Sequence, residues 1–370
     1  MLTLTAIKAD IGSIGGHTKP SLRMLGTAEE IMQQAKEKEL ISDFDITHTG
    51  DDVCLLMTHS HGENAENIHN LAWDAFTKMT EVAQEQNLYG AGQDLLKDAP
   101  SGNVRGAGPG AAEIEINTDA PERKGEPFLV FTADKCGPGV FNFPLWAVFT
   151  SPMYNAGLML PKMYKGFKFA VIDMEYAGGD KVIELNAPEE HIDLAVLLRD
   201  ENRFGIQGIY SRNHPEQKVV SVSTDRLHTI AGEYKGKDDP VAIVRSQNIF
   251  PAPEEIVSPY MTAHFAAGGA RGSHHMPLMP VAINTAVASP YCIPLISCMA
   301  YSVTDEGKLT EGVDIFGNTT WDNTRLKAQQ RAEEIRQQGF VGAAMLPMQE
   351  LEYSSMMQSL DRLEGRFELK

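Results

Sequence analysis

Cationic side chains, cysteine pairs and long apolar runs are all scarce in this chain of 370 residues. Its 32 lysines and arginines face 50 aspartates and glutamates, which gives a formal net charge of -18. Binding to phosphates requires clustered cations, so this charge argues against a nucleic-acid-binding protein and against adsorption to an anionic membrane. The most apolar stretches, such as residues 293–303, are shorter than the ~20 residues that a membrane span needs.

The four cysteines form no C-x-x-C pair and show no disulfide-dense spacing. They are typical of reduced thiols in a cytosolic protein. The first ten residues contain no basic segment before an apolar run, so no secretory signal is predicted. Apolar residues make up 42% of the chain, and no linker or internal repeat divides it. We therefore predict a soluble cytoplasmic protein with a single domain over residues 1–370.

Hydrophobic periodicity predicts an α+β fold with mostly antiparallel sheets that are covered by helices. A first strand should end near Asp10, and Ser21 should cap the helix that follows it. Further strands are predicted at 44–48, 53–58, 113–116, 128–132, 168–173, 181–185, 207–210, 219–222 and 241–245. The clearest helix spans 68–83, and shorter helices fit 189–199, 254–266 and 323–338. Because strands outnumber helices and follow one another through short turns, a doubly wound parallel sheet is not expected.

Several signatures of catalytic chemistry are absent from the sequence. There is no G-x-x-x-x-G-K-[ST] phosphate loop, no H-E-x-x-H zinc motif and no G-x-S-x-G nucleophile elbow. The glycines at 106, 108 and 110 do not form G-x-G-x-x-G and do not open a predicted helix. No class of enzyme that depends on one of these motifs is therefore predicted.

Acidic residues recur at the ends of predicted strands. Asp10 closes the first strand, and His17 follows it by seven residues. The other positions are Asp51, Asp52, Asp134, Asp238 and Asp239. Carboxylates with one imidazole suit Mg²⁺ or Mn²⁺, and clustered carboxylates repel one another unless cations are bound, so the pattern favours a centre with several metal ions. Taken singly, each aspartate is better explained as an ordinary turn residue, so the interpretation depends on their recurrence.

A lysine and an arginine stand out beside these carboxylates. Lys237 lies in the sequence Tyr-Lys-Gly-Lys-Asp-Asp, where the neighbouring carboxylates should raise its pKa. Cations bound to those carboxylates would reverse the field and favour an amine that attacks a carbonyl, with Tyr234 as a proton relay. Arg271, which is followed by Gly-Ser-His, suits a phosphate. The structural alternative for the segment of Lys237 is a solvated charged loop, and the alternative for Arg271 is a turn with a surface arginine.

Two longer stretches carry a family resemblance. They are Tyr-Gly-Ala-Gly-Gln-Asp-Leu-Leu-Lys-Asp at 89–98 and Gly-Lys-Asp-Asp-Pro at 236–240. With Ile-Lys-Ala-Asp and His17, Gly-Asp-Asp, Ser-Gly-Asn, Ala-Asp-Lys and Arg-Gly-Ser-His, the chain from residue 1 to about 353 resembles the bifunctional fructose 1,6-bisphosphate aldolase/phosphatases of archaea and deeply branching bacteria. The resemblance implies a four-layer α-β-β-α sandwich, several Mg²⁺ ions per site, sugar-phosphate substrates and a cytoplasmic homo-octamer that acts in gluconeogenesis.

The resemblance also implies roles for individual residues. Lys237 matches the Schiff-base lysine for dihydroxyacetone phosphate, Tyr234 matches its acid/base partner, and Asp10 matches the base of the phosphatase step. The family's metal-site positions are matched by Asp10, His17, Asp51, Asp52, Gln93, Asp134, Asp238, Asp239 and Glu352. Its sugar-phosphate contacts are matched by His17, Tyr89, Gly102, Asn103, Lys135, Gln247, Asn248 and Arg271.

Two positions depart from the family pattern. Gln247-Asn248 replaces the usual Gln-Ser and keeps a polar group, whereas Tyr291 stands where the family has an aspartate that contacts substrate. We predict an enzyme that condenses dihydroxyacetone phosphate with glyceraldehyde 3-phosphate through a lysine Schiff base and then hydrolyses the bisphosphate with Mg²⁺ to fructose 6-phosphate. The alternatives are a sugar-bisphosphate phosphatase of the same fold with weak or altered aldolase activity and a non-catalytic, metal-dependent sugar-phosphate binder.

Overall fold

The computed structural model describes residues 1–95, 108–117, 125–176, 180–215, 217–226, 236–267, 275–288, 293–337 and 355–367. The helices in these ranges are α1 (Leu22–Glu37), α2 (Glu66–Glu85), α3 (Asn142–Thr150), α4 (His191–Leu198), α5 (Pro253–Val257), α6 (Asp322–Arg336) and α7 (Ser355–Glu364). Short 3₁₀ helices lie at Ala156–Met159, Ser258–Thr262 and Thr319–Trp321. Within the described ranges, no helix combines the length and the apolar character that crossing a bilayer requires.

The strands form two large sheets and one short ribbon. In chain order they are β1 (Leu2–Asp10), β2 (Asp43–Thr49), β3 (Asp52–His59), β4 (Gly110–Ile116), β5 (Glu126–Asp134), β6 (Phe167–Asp173), β7 (Val182–Ala187), β8 (Phe204–Ser211), β9 (Lys218–Val222), β10 (Asp225–Arg226), β11 (Val241–Arg245), β12 (Phe265–Ala266), β13 (Met276–Pro277), β14 (Met279–Pro280), β15 (Leu295–Val303) and β16 (Val313–Asp314).

The five-stranded sheet has the order β10-β4-β1-β3-β2, and all of its neighbouring strands are antiparallel. The nine-stranded sheet has the order β14-β15-β5-β11-β9-β8-β6-β7, and β16 pairs with β15. Its one parallel pair among the described strands is β14 with β15. The predicted α+β class with mostly antiparallel sheets is therefore confirmed.

Alternation along β1 shows how the five-stranded sheet contributes to two parts of the core. Leu2, Leu4 and Ala6 belong to a cluster that also contains residues of β5, β11 and β15, so this face meets the nine-stranded sheet. Ile7 and Ala9 point the other way and pack with the buried faces of α1 and α2. Because successive side chains of a strand point to opposite faces, Lys8 and Asp10 lie on the face between the sheets.

The nine-stranded sheet shows the same alternation. Phe128 and Val130 of β5 lie in the cluster shared by the two sheets. Leu129 and Phe131 lie in another cluster, with buried residues of α3, α4 and α5. The period of two therefore directs Asp134, at the end of β5, toward the space between the sheets.

Most sequence-based assignments are confirmed, and one is wrong. Ser21 caps α1 and accepts a hydrogen bond from the Met24 N–H at 3.2 Å, as predicted. The helix predicted at 254–266 is wrong, because α5 ends at Val257, a 3₁₀ turn containing Pro259 follows, and Phe265 begins a strand. Proline cannot continue the hydrogen bonding of an α-helix. Helix α3 and strand β15 were not predicted.

Substitution of Phe76 by alanine should destabilise the protein by about 3–5 kcal/mol, because the ring is fully buried between α2 and the five-stranded sheet. Denaturant unfolding measures this change. Leu326, on α6 and 52% exposed, provides the control, since its replacement by alanine should change the free energy of unfolding by less than about 1 kcal/mol. Equal effects of the two substitutions would contradict the assignment of Phe76 to the core.

Candidate metal centre and active site

Four aspartates meet at one edge of the two sheets. Asp10 ends β1 and lies directly opposite Asp52, the first residue of the antiparallel strand β3. Asp134 ends β5, and Asp239 lies two residues before β11, whose first residue pairs with the neighbouring end of β5. Antiparallel pairing brings the end of one strand beside the start of the next, and alternation turns these side chains toward the space between the sheets.

These carboxylates and their neighbours form two acidic groups. The first acidic group is Asp10, His17 and Asp51, and the second acidic group is Asp52, Asp134 and Asp239. Within each group the possible ligand atoms all lie within 4.8 Å of one another. The His17 Nδ1 atom is 3.0 Å from Asp51 Oδ2 and 3.9 Å from Asp10 Oδ2. All five aspartates are buried, and the imidazole is partly exposed.

Gly50 allows the turn that holds Asp51 and Asp52 to pass close to Asp134. Its φ is +56°, and a Cβ at this position would overlap the Asp134 carboxylate. The residue therefore cannot carry a side chain while the carboxylate keeps its place. The Gly50 N–H donates to Thr285 O at 2.8 Å, which fixes the turn against a neighbouring loop.

Three buried lysines lie among the carboxylates. Lys8 pairs with Asp52 and also donates to Asp239 O at 2.9 Å. Lys135 pairs with Asp51 and with Asp134, the latter at 2.7 Å. Lys237 donates to Asp94 Oδ2 at 2.8 Å. The carboxyl groups still outnumber the amines, so the three lysines cannot balance the charge of all of them in the ionised form.

Burial, together with the neighbouring charged groups, shifts the pKa values of these carboxyl groups. Burial and the neighbouring Asp51 and Asp52 raise the pKa of Asp10 well above its usual value. Burial likewise raises the pKa of Asp134 well above its usual value and that of Asp239 to about 6, with Asp52 adding to both shifts. Asp51 is the exception, because Lys135 and His17 outweigh its burial and lower its pKa.

Lys237 is held as an ammonium ion in this arrangement. Burial lowers the pKa of its amine, but the carboxylates of Asp94, Asp52 and Asp239 outweigh burial and raise it above its usual value. The direction agrees with the sequence-based expectation. The direct partner differs, however, because that expectation rested on the adjacent Asp238 and Asp239, and the hydrogen bond goes to Asp94.

The two acidic groups fit a hard divalent cation. Their donors are carboxylate oxygens and one imidazole nitrogen, the set that Mg²⁺ and Mn²⁺ accept. Asp134 Oδ2 is buried and receives no hydrogen bond from the described residues, and the same is true of Gln93 Oε1. Buried oxygens without donors are costly unless a cation or a water molecule binds them. The identity and the number of such ions stay predictions.

The structure places the other predicted contacts at different distances from the acidic groups. The Tyr89 ring meets the His17 ring edge-on, with centroids 5.0 Å apart. Asp238 is half-buried between Lys237 and Asp239. Gln247 and Asn248 are exposed and follow the end of β11 that is farther from Asp239. The five residues of this strand rise ~3.3 Å each, so they separate Gln247 from Asp239 by more than ~15 Å. Within one chain they therefore do not join the site, and their role in substrate binding stays a prediction.

The remaining predicted residues lie outside the described part of the chain. They are Gly102, Asn103, Tyr234, Arg271 and Glu352, together with Tyr291 at the position that departs from the family pattern. Their assigned roles stay what the family resemblance implies.

Sequence reasoning missed two charged residues of the site, Lys8 and Asp94. Lys8 is 1% exposed and interrupts a strand that is otherwise mostly apolar. A charged residue within such a strand was the sequence feature that could have indicated a site residue. Asp94 follows Gln93 in the stretch of the family resemblance, but its neighbours in sequence give no sign of its partner. Its contact with Lys237 joins residues 143 positions apart.

In a comparison with known proteins, the family model and the individual relatives agree with each other. The family model described as fructose-1,6-bisphosphatase matches residues 1–368. A Thermus thermophilus protein named fructose-1,6-bisphosphate aldolase/phosphatase is 50% identical to this chain over 99% of both sequences. Proteins of the same name from Cenarchaeum symbiosum and Methanocaldococcus jannaschii are 43% and 44% identical, over 99% of this chain and 94% and 92% of theirs.

We expect Mg²⁺ or Mn²⁺ to raise the thermal unfolding temperature of the protein. A ligand that binds only the folded state stabilises that state by about 3 kcal/mol when the ligand concentration is 100 times its dissociation constant. Replacing Asp134 with asparagine should remove most of this increase, since the variant loses a ligand of the second acidic group. Differential scanning fluorimetry with and without the cation measures the shift. The control is Asp322→Asn at an exposed position of α6, and an equal loss in both variants would contradict the assignment.

Without divalent cations, we expect the free energy of unfolding to fall as the pH rises from about 5 to 7. The pKa of Asp239 is about 6 in the folded chain and 3.8 ordinarily, so the folded state binds more protons in this interval. Their loss destabilises the fold by about 1 kcal/mol from this group alone. The raised pKa values of Asp10 and Asp134 act in the same direction. Asp51 has a lowered pKa, so its ionised carboxylate stabilises the fold at every pH above its ordinary pKa. This contribution is lost only when the pH falls below that range.

Denaturant unfolding in a chelator at the two pH values measures this effect. Saturating Mg²⁺ should remove most of it, because ionised carboxylates bind the cation. A decrease of the same size in Mg²⁺ would contradict a metal site at these aspartates.

Proposed function

The chain belongs to the fructose-1,6-bisphosphatase family, as the resemblance predicted, and from this membership we propose a bifunctional fructose-1,6-bisphosphate aldolase/phosphatase. The enzyme condenses dihydroxyacetone phosphate with glyceraldehyde 3-phosphate and hydrolyses the resulting bisphosphate to fructose 6-phosphate and phosphate. One observation supports the combination most directly. A buried lysine amine lies among the same carboxylates that could hold divalent cations, since Asp52 and Asp239 of the second acidic group raise the pKa of Lys237.

In the proposed aldol reaction, Lys237 supplies the nucleophilic nitrogen. The ammonium group gives up a proton, its nitrogen then bonds to the carbonyl carbon of dihydroxyacetone phosphate, and the carbonyl oxygen leaves as water. Overall, an ammonium ion and a ketone give a protonated imine and water. The positive imine nitrogen withdraws electrons and permits loss of a proton from the adjacent carbon, which then attacks the aldehyde. Tyr234 is the acid/base partner by the family resemblance.

In the proposed phosphatase reaction, Asp10 is the base. Its Oδ1 atom accepts a hydrogen bond from the Gly12 N–H at 3.1 Å, which orients the carboxylate at the end of β1. The two acidic groups, with Gln93, Asp238 and Glu352 as further proposed ligands, would hold the Mg²⁺ ions. When bound, these ions neutralise charge on the phosphate and favour attack by water. Such cations also account for the binding of a bisphosphate by a chain with a net charge of -18.

Further features of the proposal concern architecture and assembly. We propose the four-layer α-β-β-α sandwich, supported by the core shared between the sheets and by the two helix-facing clusters on their other sides. A homo-octamer in the cytoplasm, acting in gluconeogenesis on sugar phosphates, follows from the family resemblance. The cytoplasmic location agrees with the free, buried thiols of Cys54, Cys136 and Cys298.

Substitution of Lys237 by alanine should abolish aldol condensation and weaken phosphate release much less, because the metal-site carboxylates remain. The two activities are measured in parallel on wild type and variant. Borohydride in the presence of dihydroxyacetone phosphate should add the reduced adduct mass to the wild-type peptide that contains Lys237. Active phosphate release without any adduct would favour the phosphatase with weak aldolase activity, and binding without phosphate release would favour the non-catalytic binder.

A further inference from the structure

The partner of Lys237 differs in kind from the partners of the other two buried lysines. Lys8 and Lys135 pair with carboxylates of the two acidic groups. Lys237 pairs with Asp94, which belongs to neither group. Cations that occupy the acidic groups would therefore compete for the carboxylates that Lys8 and Lys135 use. The Lys237–Asp94 pair is outside that competition.

Asp94 is itself fixed to the end of β1. Its N–H donates to Asp10 O at 3.0 Å, and its Oδ2 atom accepts from the Asp10 N–H at 2.8 Å. The neighbouring Gly92 N–H donates to Ile11 O at 3.0 Å. With 4% of its surface exposed, Asp94 cannot turn its carboxylate into solvent without breaking these bonds. The carboxylate is therefore a rigid acceptor for the lysine.

The Lys237 side chain is confined from the other direction. It is 3% exposed, and its Cγ lies so close to Gly110 that a Cβ there would approach to 2.8 Å. The preceding Gly236 has a φ of +78° and packs against Met174. Because the backbone and the aliphatic stem are enclosed, the hydrogen bond to Asp94 determines where the nitrogen points.

Asp94 also has acceptor capacity that no described residue uses. Its Oδ2 atom receives both hydrogen bonds, whereas Oδ1 is buried and receives none from the part of the chain that the structure describes. Burying a carboxylate oxygen away from water costs free energy unless a positive charge lies next to it. Lys237 meets that requirement before and after imine formation, because the ammonium ion and the protonated imine carry the same charge.

We propose that Asp94 is the positioning residue for Lys237: its carboxylate fixes where the nitrogen lies and acts as counter-ion to the ammonium ion before imine formation and to the protonated imine after it. The inference rests on the proposed aldolase function. In the step concerned, the ammonium group first gives up a proton, and the freed nitrogen pair bonds to the carbonyl carbon. The carbon–oxygen bond then breaks, and the oxygen leaves as water with that proton and a second one from the nitrogen. Asp94 acts through Lys237 and leaves hydrolysis of the bisphosphate to the acidic groups.

Substitution of Asp94 by asparagine tests this proposal. Asparagine keeps the shape and an oxygen for the Asp10 N–H but removes the charge opposite the amine. At saturating dihydroxyacetone phosphate, we expect the rate of borohydride-trapped adduct formation and the kcat of condensation to fall about 10- to 100-fold, the effect of one charged hydrogen bond. The KM for dihydroxyacetone phosphate and phosphate release from the bisphosphate should change less than about threefold.

The matched control is Asp43→Asn. Asp43 also accepts from a lysine, Lys36, at 2.6 Å and from a backbone N–H, that of Leu309, at 3.0 Å, but it lies at the other end of β2 from the acidic groups. Trapping and condensation should be unchanged in this variant. Normal trapping and condensation in Asp94→Asn would overturn the inference, and so would equal losses of condensation and phosphate release.

The same experiment separates failure of the inference from failure of the proposed function. If wild type gives neither an adduct nor condensation, the proposed aldolase function is wrong, whatever the variants do. If Asp94→Asn does not fold, as judged by circular dichroism, the pair Asp94→Glu and Asp94→Gln replaces it. These side chains are equal in size and differ in charge, so the glutamate variant should trap faster, and equal rates would overturn the proposal.

Discussion

The arrangement of the site depends on keeping several buried carboxylates together at the edge where two sheets meet. At an effective dielectric constant near 20, two like charges about 4 Å apart repel by about 4 kcal/mol, and each carboxylate also loses hydration on burial. Three lysines offset part of this cost, but the carboxylates outnumber them. The fold therefore favours bound cations or bound protons, which is why the pKa values of Asp10, Asp134 and Asp239 are raised.

Much of this edge could be predicted from local sequence. Aspartates at strand ends mark the site, because antiparallel neighbours bring the end of one strand beside the start of the next. Asp10 with Asp52, and Asp134 with Asp239, illustrate this rule. Sequence spacing could not show that the two pairs face each other. That depends on packing of the sheets through a core of residues far apart in the chain.

Other features were missed for physical reasons that individual elements make clear. Helix α3 is buried on most of its surface, so it has no polar stripe to reveal a helical period. Strand β15 reads as an apolar run, which periodicity alone cannot assign to a strand or a helix. The predicted helix at 254–266 followed apolar spacing and overlooked Pro259, which ends the α-helical hydrogen bonding. Asp94 was missed because its partner is set by tertiary contact alone.

The partners of the three buried lysines suggest how one site accommodates two kinds of chemistry. Lys8 and Lys135 share carboxylates with the candidate metal ligands, so their charges and those of bound cations substitute for one another. Lys237 donates its hydrogen bond to a carboxylate outside the acidic groups, although Asp52 and Asp239 of the second acidic group also raise its pKa. A nitrogen that carries a positive charge both as the ammonium ion and as the protonated imine is stabilised by such a counter-ion. Placing Asp94 on the backbone of Asp10 keeps that counter-ion beside the metal ligands without making it one of them.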